Sequence, residues 1–363
     1  MRLWLTLPLL LCFSVAGRLA PAAHIPVKVV VVTMYQDEDG GGSAPGEFHL
    51  WVEGEHLDRV FPLLAGDAPE RMNESGVLGM VTGVGTAKAA ASVMALGLDP
   101  RFDLRHACWV IAGIGGGDPA DVSLASAVWI RQVVDGDLAH EIDAREIPPD
   151  WPTGYVPLGR ILPYQQPMTD KYDQVFTLDA ALTEWAYGLT HAIPLADNDT
   201  LRERRSHFVQ ANARRPPFVT EGDELSASTY WHGAKLDAWA NAWVRYYTGG
   251  KGNFVVSAME ETGTLQALAF LGRAGRVDAS RVLVLRTISN YDQQPEGLSA
   301  AASLNAQQVG RYGAFLPSLE SAYAAGHVVV DALVDGWARY RTRLPEVSHS
   351  GPARIAGRKV DPW

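Results

Sequence analysis

Carboxylates and glycines gather in this sequence wherever a short apolar run gives out. Residues 27–34 (VKVVVVTM) are followed by Asp37, Glu38 and Asp39, residues 77–81 by Gly83-Val84-Gly85-Thr86, and residues 107–114 by Gly115-Gly116-Gly117. Further on, 218–220 leads into Glu221-Gly222-Asp223-Glu224 and 254–258 into Met259-Glu260-Glu261-Thr262. The run through Leu285 leads into Arg286-Thr287-Ile288-Ser289-Asn290-Tyr291-Asp292. Carboxylates take or give protons, accept hydrogen bonds from hydroxyl groups and stabilise developing positive charge. Glycines let backbone N–H groups approach a ligand closely. Each piece alone has an ordinary explanation. Gly83-Val84-Gly85 is a tight turn ahead of a helix, and Lys88 stands where a dinucleotide fingerprint needs its third glycine. Glu260 suits a helix start, residues 37–39 read as solvated loop charges, and Trp231 and His232 read equally as core or surface. No two histidines have metal-ligand spacing, so neither a metal nor another cofactor is expected.

The apolar runs must be the elements that position these groups. Residues 27–34, 77–81, 107–114, 127–134, 218–220, 254–258 and 281–288 read as strands, several of them buried on both faces. Residues 48–59, with Trp51 and Val52, alternate like an edge strand. Helices are expected over 87–96, 178–189, 234–247 and 260–271, with a long last helix over 306–338. Strands alternating with helices predict a largely parallel sheet covered on both sides. In such sheets ligands collect beyond the carboxyl ends of the strands, which is where the acids and glycines fall. Residues 141–216 differ in texture, with six prolines between Pro148 and Pro167 and five arginines between Arg202 and Arg215. They read as an insertion lying over the core of one domain spanning 24–345, with a tail at 346–363.

Composition sets outer limits. The chain has 363 residues, 47% of them hydrophobic and 20% charged, which is a globular balance. A net charge of −10 argues against nucleic-acid binding, which needs a basic face. Two cysteines exclude a disulfide framework and a cysteine-built zinc site. Residues 1–23 have the form of a cleaved signal peptide: Arg2, an apolar stretch over 3–15, then small residues around Ala16 and Ala20-Pro21-Ala22. The stretch is shorter than the roughly 20 residues a membrane helix needs. The expected product is a soluble, periplasmic or secreted protein that keeps Cys108 as its lone thiol. The richest later window, 107–130, is broken by Asp118, Asp121 and four glycines.

The order of the pieces is more specific than any one of them. The strand ending in VVTM, the segment 82–90 (TGVGTAKAA), 112–117 (AGIGGG), Glu221-Gly222-Asp223, 257–262 (SAMEET) and 286–292 (RTISNYD) together resemble the nucleoside phosphorylase and nucleosidase superfamily. The resemblance covers about 27–334. Within it the sequence is most similar to the purine nucleoside permeases, in Met34, Tyr35 and Glu38, in 229–233 (TYWHG) and in 289–292 (SNYD). The resemblance implies an α/β fold, a three-layer αβα sandwich with a central mixed, largely parallel sheet. It implies that Glu260 accepts hydrogen bonds from ribose hydroxyls with Met259 packed on the sugar. Gly115 and Gly116 would offer N–H groups to base or sugar, and Asn290 would grip a purine ring nitrogen with Asp292 in reserve. Gly85, Thr86, Asp223, Trp231, His232 and Ser289 complete the expected substrate contacts.

Breaking a ribose–purine bond builds positive charge on the sugar and negative charge on the base. A carboxylate near the ribose answers the first and a donor at the ring answers the second. The loop after the first strand lacks a Gly-rich phosphate turn and a close arginine, so water activated by Asp37 or Glu38 is the simpler nucleophile. Phosphate is the partner only under the phosphorolytic alternative. Many members of the superfamily carry aspartate where Asn290 stands, and an amide cannot protonate the base. Three readings follow: an exported purine nucleoside hydrolase or phosphorylase, a nucleoside-binding protein serving uptake, and a catalytically silent member. Relatives often borrow a site residue from a neighbouring subunit, which makes a homo-oligomer a further expectation; alternatively, the His207, Phe208 and Arg214 region would close the site from within one chain.

Overall fold

Four valines in a row at Val29–Thr33 point alternately to two apolar clusters, Val29 and Val31 to one and Val30 and Val32 to the other. That two-sided burial is the signature of a central strand. A computed structural model describes residues 24–36, 46–309 and 314–346. The elements in chain order are β1 (Ile25–Pro26), β2 (Val29–Thr33), α1 (His49–Gly54), β3 (Arg59–Phe61), β4 (Glu70–Met72), β5 (Val77–Val81), α2 (Thr86–Leu98), β6 (Phe102–Asp103), β7 (Cys108–Gly117) and β8 (Ala127–Asp135). There follow β9 (Ala139–Glu141), β10 (Tyr155–Pro157), β11 (Val175–Thr177), α3 (Ala180–Thr190), α4 (Asp199–Ser206), β12 (Val219–Ser226), α5 (Ala234–Tyr247), β13 (Phe254–Ala258), α6 (Glu261–Arg273), β14 (Val282–Tyr291), α7 (Ala300–Val309), α8 (Phe315–Asp335) and α9 (Trp337–Tyr340).

Ten strands make one mixed sheet. Its path runs β11-β8-β12-β13-β7-β2-β5-β4-β3, and β14 pairs with both β7 and β8. The pairs β2–β5, β2–β7, β7–β14, β8–β12 and β12–β13 are parallel. Because β14 bridges β7 and β8 while β12 and β13 complete the way back, β7, β14, β8, β12 and β13 form a closed circuit. One face is covered by α2 and α6, through Val93, Leu96, Leu265 and Leu268. The other is covered by α1, α3 and α8, through Trp51, Leu182, Ala325 and Val329. Helix α5 packs Trp239, Trp243 and Tyr247 against Leu225 and Phe254. The three layers and the central mixed sheet are those expected.

Some local expectations are corrected. Residues 48–59 are not an edge strand: 49–54 is helix α1. Phe48, Trp51 and Glu55 are buried three and four residues apart, the period of a helix, and His49 lies 3.4 Å from Glu53 one turn on. Gly115-Gly116-Gly117 do not follow the strand read over 107–114 but continue it, as the end of β7 alongside β14. Glu221 to Glu224 are not the segment after a strand, since β12 runs on to Ser226. The expected single helix over 306–338 is α7, α8 and α9, with 310–313 outside the described residues. Residues 1–23, read above as a leader, and the tail from 347 also lie outside them. No described helix is long and apolar enough to cross a membrane.

Candidate active site

The ends of β2, β7, β13 and β14, with the segment after β12, enclose a cavity of about 410 Å³. Met34 and Tyr35 enter from β2, Gly115 and Gly116 from β7, and Thr229, Tyr230 and Trp231 from the segment after β12. Ser257, Met259 and Glu260 enter from β13, and Arg286, Ser289 and Asn290 from β14. The start of α8 adds Phe315, whose ring lies 6.2 Å from that of Tyr35. Glycine is needed beside this wall. A Cβ on Gly113 would stand 2.6 Å from Arg286 Nη1 and 2.8 Å from Glu47 Oε1.

Glu260 occupies the N-cap position of α6 and is 4% exposed. Its Oε1 accepts the Gly85 N–H at 3.0 Å and its Oε2 accepts Arg286 Nη2 at 2.9 Å. Burial raises its pKa and the Arg286 guanidinium opposes the rise. Arg286 also donates from Nε to Glu261 at 2.6 Å and from Nη1 to the Ile114 carbonyl at 2.8 Å. The guanidinium therefore has protein partners on every nitrogen. Four buried carboxylates, Glu47, Glu224, Glu260 and Glu261, act on it electrostatically, and one positive charge cannot balance four negative ones. Glu224, pressed by burial and by Glu261, is pushed well above the usual carboxylate range.

Glu47 is the residue that sequence reading missed. It lies two residues before α1, lines the cavity, and takes backbone N–H bonds from Met34 at 2.8 Å and Ile114 at 2.7 Å. These fix its carboxylate between the ends of β2 and β7. Burial lifts its pKa from 4.5 to about 7, against the pull of Arg286 and both backbone bonds. A carboxyl that titrates near neutrality inside a cleft is suited to accept a proton. A helical reading of 48–55 would have placed Glu47 at a helix start beside β2, and an arginine in the apolar run 282–288 (VLVLRTI) signals buried acids nearby.

The expected site residues divide. Gly115, Gly116, Trp231, Met259, Glu260, Ser289 and Asn290 all line the cavity. Gly85 supports it through Glu260, and Thr86 stands behind it, donating to the Met259 carbonyl at 3.3 Å and contacting Ser228 Oγ at 2.5 Å. Three others do not line it. Asp223 is interior to β12, where its Oδ2 accepts the Asn253 N–H at 2.7 Å, because the strand runs three residues beyond it. His232 turns to Ser303 Oγ at 3.0 Å, and burial holds its pKa low. Asp292 lies behind Gly116, with the Ser257 hydroxyl donating to it at 2.7 Å. Asp37 and Glu38 lie outside the described residues. Glu55, His327 and Asp331 bring three ligand-type groups together between α1 and α8, none of them lining the cavity.

Fold and site together define a nucleoside phosphorylase-like αβα protein. Two solved structures from Helicobacter pylori share the fold at 14% identity and a TM-score of 0.50. One is an MTAN mutant with 5′-methylthioadenosine in its active site, matched over 84% of this chain and 99% of that one. The other is a futalosine hydrolase, matched over 84% and 98%. Among sequences, a probable purine nucleoside permease of Schizosaccharomyces pombe is 30% identical over 341 residues, 89% of this chain and 93% of its own length. A purine nucleoside permease of Candida albicans is 27% identical over 262 residues, 71% of this chain and 64% of its own. The family model for purine nucleoside permease (NUP) matches residues 26–345. The chain belongs to the purine nucleoside permease family.

Proposed function

We propose that this protein cleaves the N-glycosidic bond of purine nucleosides with water. The observation that carries the reading is the pairing of two buried carboxylates with separate tasks in one cavity. Glu260, paired with Arg286 and held by the Gly85 N–H, faces the ribose and stabilises the cation-like sugar as the bond breaks. Glu47, with its pKa lifted to about 7, takes the proton from the attacking water. Asn290 holds a purine ring nitrogen, and Tyr35, Trp231 and Phe315 supply apolar walls. Phosphate is a poorer nucleophile here. Among the described lining residues Arg286 is the one cation, and its nitrogens are already engaged. The leader read over 1–23 supports action outside the cytoplasm.

A second reading, capture of nucleosides for uptake without turnover, is favoured by the amide at Asn290 and by the names of the fungal relatives. Purified protein incubated with inosine or adenosine in phosphate-free buffer separates the two. Release of free base supports hydrolysis. Saturable binding with no release supports capture and defeats the hydrolytic reading.

A further inference from the structure

A departing purine needs a proton, and the Asn290 amide has none to give. The cavity wall beside it holds another route. Gly116 of β7 pairs with Asn290 of β14 on one side and with Ser257 of β13 on the other. Ser257 lines the cavity, and its hydroxyl lies 2.7 Å from Asp292 Oδ1. The contact exists because position 116 has no side chain: a Cβ there would stand 1.9 Å from Asp292 Oδ1 and 2.5 Å from Ser257 Oγ. Asp292 itself is 1% exposed and its other carboxyl oxygen has no hydrogen-bond partner among the described residues. Its charged surroundings are Asp237, on α5, and Asp118, after β7. No described cation forms an ion pair with it. An unpaired buried carboxyl among other acids is held as the neutral acid, and its pKa is raised well above the usual range by burial and by Asp237.

We propose that Asp292 is the proton source for the leaving purine and that the Ser257 hydroxyl relays the proton. The step deepens the hydrolytic reading and rests on it. In the substrate complex the Ser257–Asp292 hydrogen bond reverses: the protonated Asp292 Oδ1–H donates to Ser257 Oγ, which frees the Ser257 O–H to turn to a purine ring nitrogen. As the sugar–base bond breaks, its electron pair goes to the base. The Ser257 proton passes to the ring nitrogen and the Asp292 proton replaces it on the serine. The water oxygen bonds to the sugar carbon and one water proton goes to Glu47. After release, Glu47 returns its proton to solvent and Asp292 takes one up. One water is consumed, and one sugar and one purine form.

The test compares two leaving groups in the full chain: inosine, whose base needs a proton, and 4-nitrophenyl β-D-riboside, whose phenolate does not. For Ser257→Ala and for Asp292→Asn the ratio of kcat on inosine to kcat on the nitrophenyl riboside is expected to fall by about a hundredfold. Ser257→Thr, which keeps the hydroxyl, is expected to hold the ratio near that of the parent. A ratio unchanged in Ser257→Ala or in a folded Asp292→Asn overturns the relay. Should Asp292→Asn not fold, the Ser257→Ala and Ser257→Thr pair decides alone. A parent protein that releases no base from inosine refutes hydrolysis itself, whereas a parent that does so with an unchanged variant ratio refutes only the relay.

Discussion

Replacing Glu47 by glutamine removes the charge and keeps the shape, so it separates what this carboxylate does for chemistry from what it costs the fold. The group moves from 4.5 to about 7 on folding, a difference of about 3 kcal/mol between its two protonation states. The sign follows from the direction. A carboxyl whose folded pKa is raised favours the fold fully below its unfolded value near 4.5. That contribution is lost as pH rises to about 7, above which the ionised carboxylate weighs against folding. Glu47→Gln removes this dependence. The amide oxygen can accept only one of the N–H bonds from Met34 and Ile114, a constant loss of roughly 1–3 kcal/mol. Measured by urea unfolding, the stability of the variant relative to the parent should therefore improve by about 3 kcal/mol between pH 4.5 and pH 8. At pH 8, where Glu47 is ionised, its kcat should be lower by roughly 10²–10⁴-fold, the usual worth of a general base, and the deficit should shrink as the pH falls below about 7 and the parent's own base is protonated. A pH-independent stability difference would show that Glu47 does not titrate as argued. Activity within threefold of the parent at pH 8 would show that it is not the base.

Three further perturbations follow from the geometry. Glu260→Gln keeps an acceptor for the Gly85 N–H but loses the negative charge at the sugar, so kcat should fall by about a hundredfold or more with a small change in Tm; equal losses of activity and stability would reduce the residue to a helix-start charge. Arg286→Met leaves Glu47, Glu224, Glu260 and Glu261 without their shared cation and should cost ~3–5 kcal/mol in chemical unfolding at neutral pH, with the deficit shrinking as the pH is lowered; a deficit that stays the same at low pH would contradict the charge account. Gly116→Ala forces its methyl group into the Ser257–Asp292 contact, so it should lose inosine cleavage and destabilise by roughly 1–3 kcal/mol; full activity would mean that the contact is dispensable.

The central strands were legible because uninterrupted β-branched runs leave few alternatives. Val77–Val81 and Phe254–Ala258 fall where the sequence places them, and so do α5 and, within a few residues, α2. Legibility failed where polar residues are buried by partners distant in sequence. Asp223 and Glu224 look like the end of a strand, yet they sit inside β12, and Glu224 is accommodated near an arginine 62 positions further on. Three glycines in a row look like a loop until Ser257, Asp292, Val122 and Ile288 are seen filling the space their side chains would need. Glu47 was hidden by a period misread over 48–59. The motif order recovered Met259, Glu260, Ser289 and Asn290, which all line the cavity. It could not recover Glu47, because its place depends on a helix start folded back against β2 and β7.

The claim that water is the nucleophile is tested most directly by the sugar product formed from inosine when phosphate is present in large excess. The account predicts free ribose, formed at the same rate with and without phosphate. Ribose 1-phosphate as the product, or base release only when phosphate is added, would contradict it.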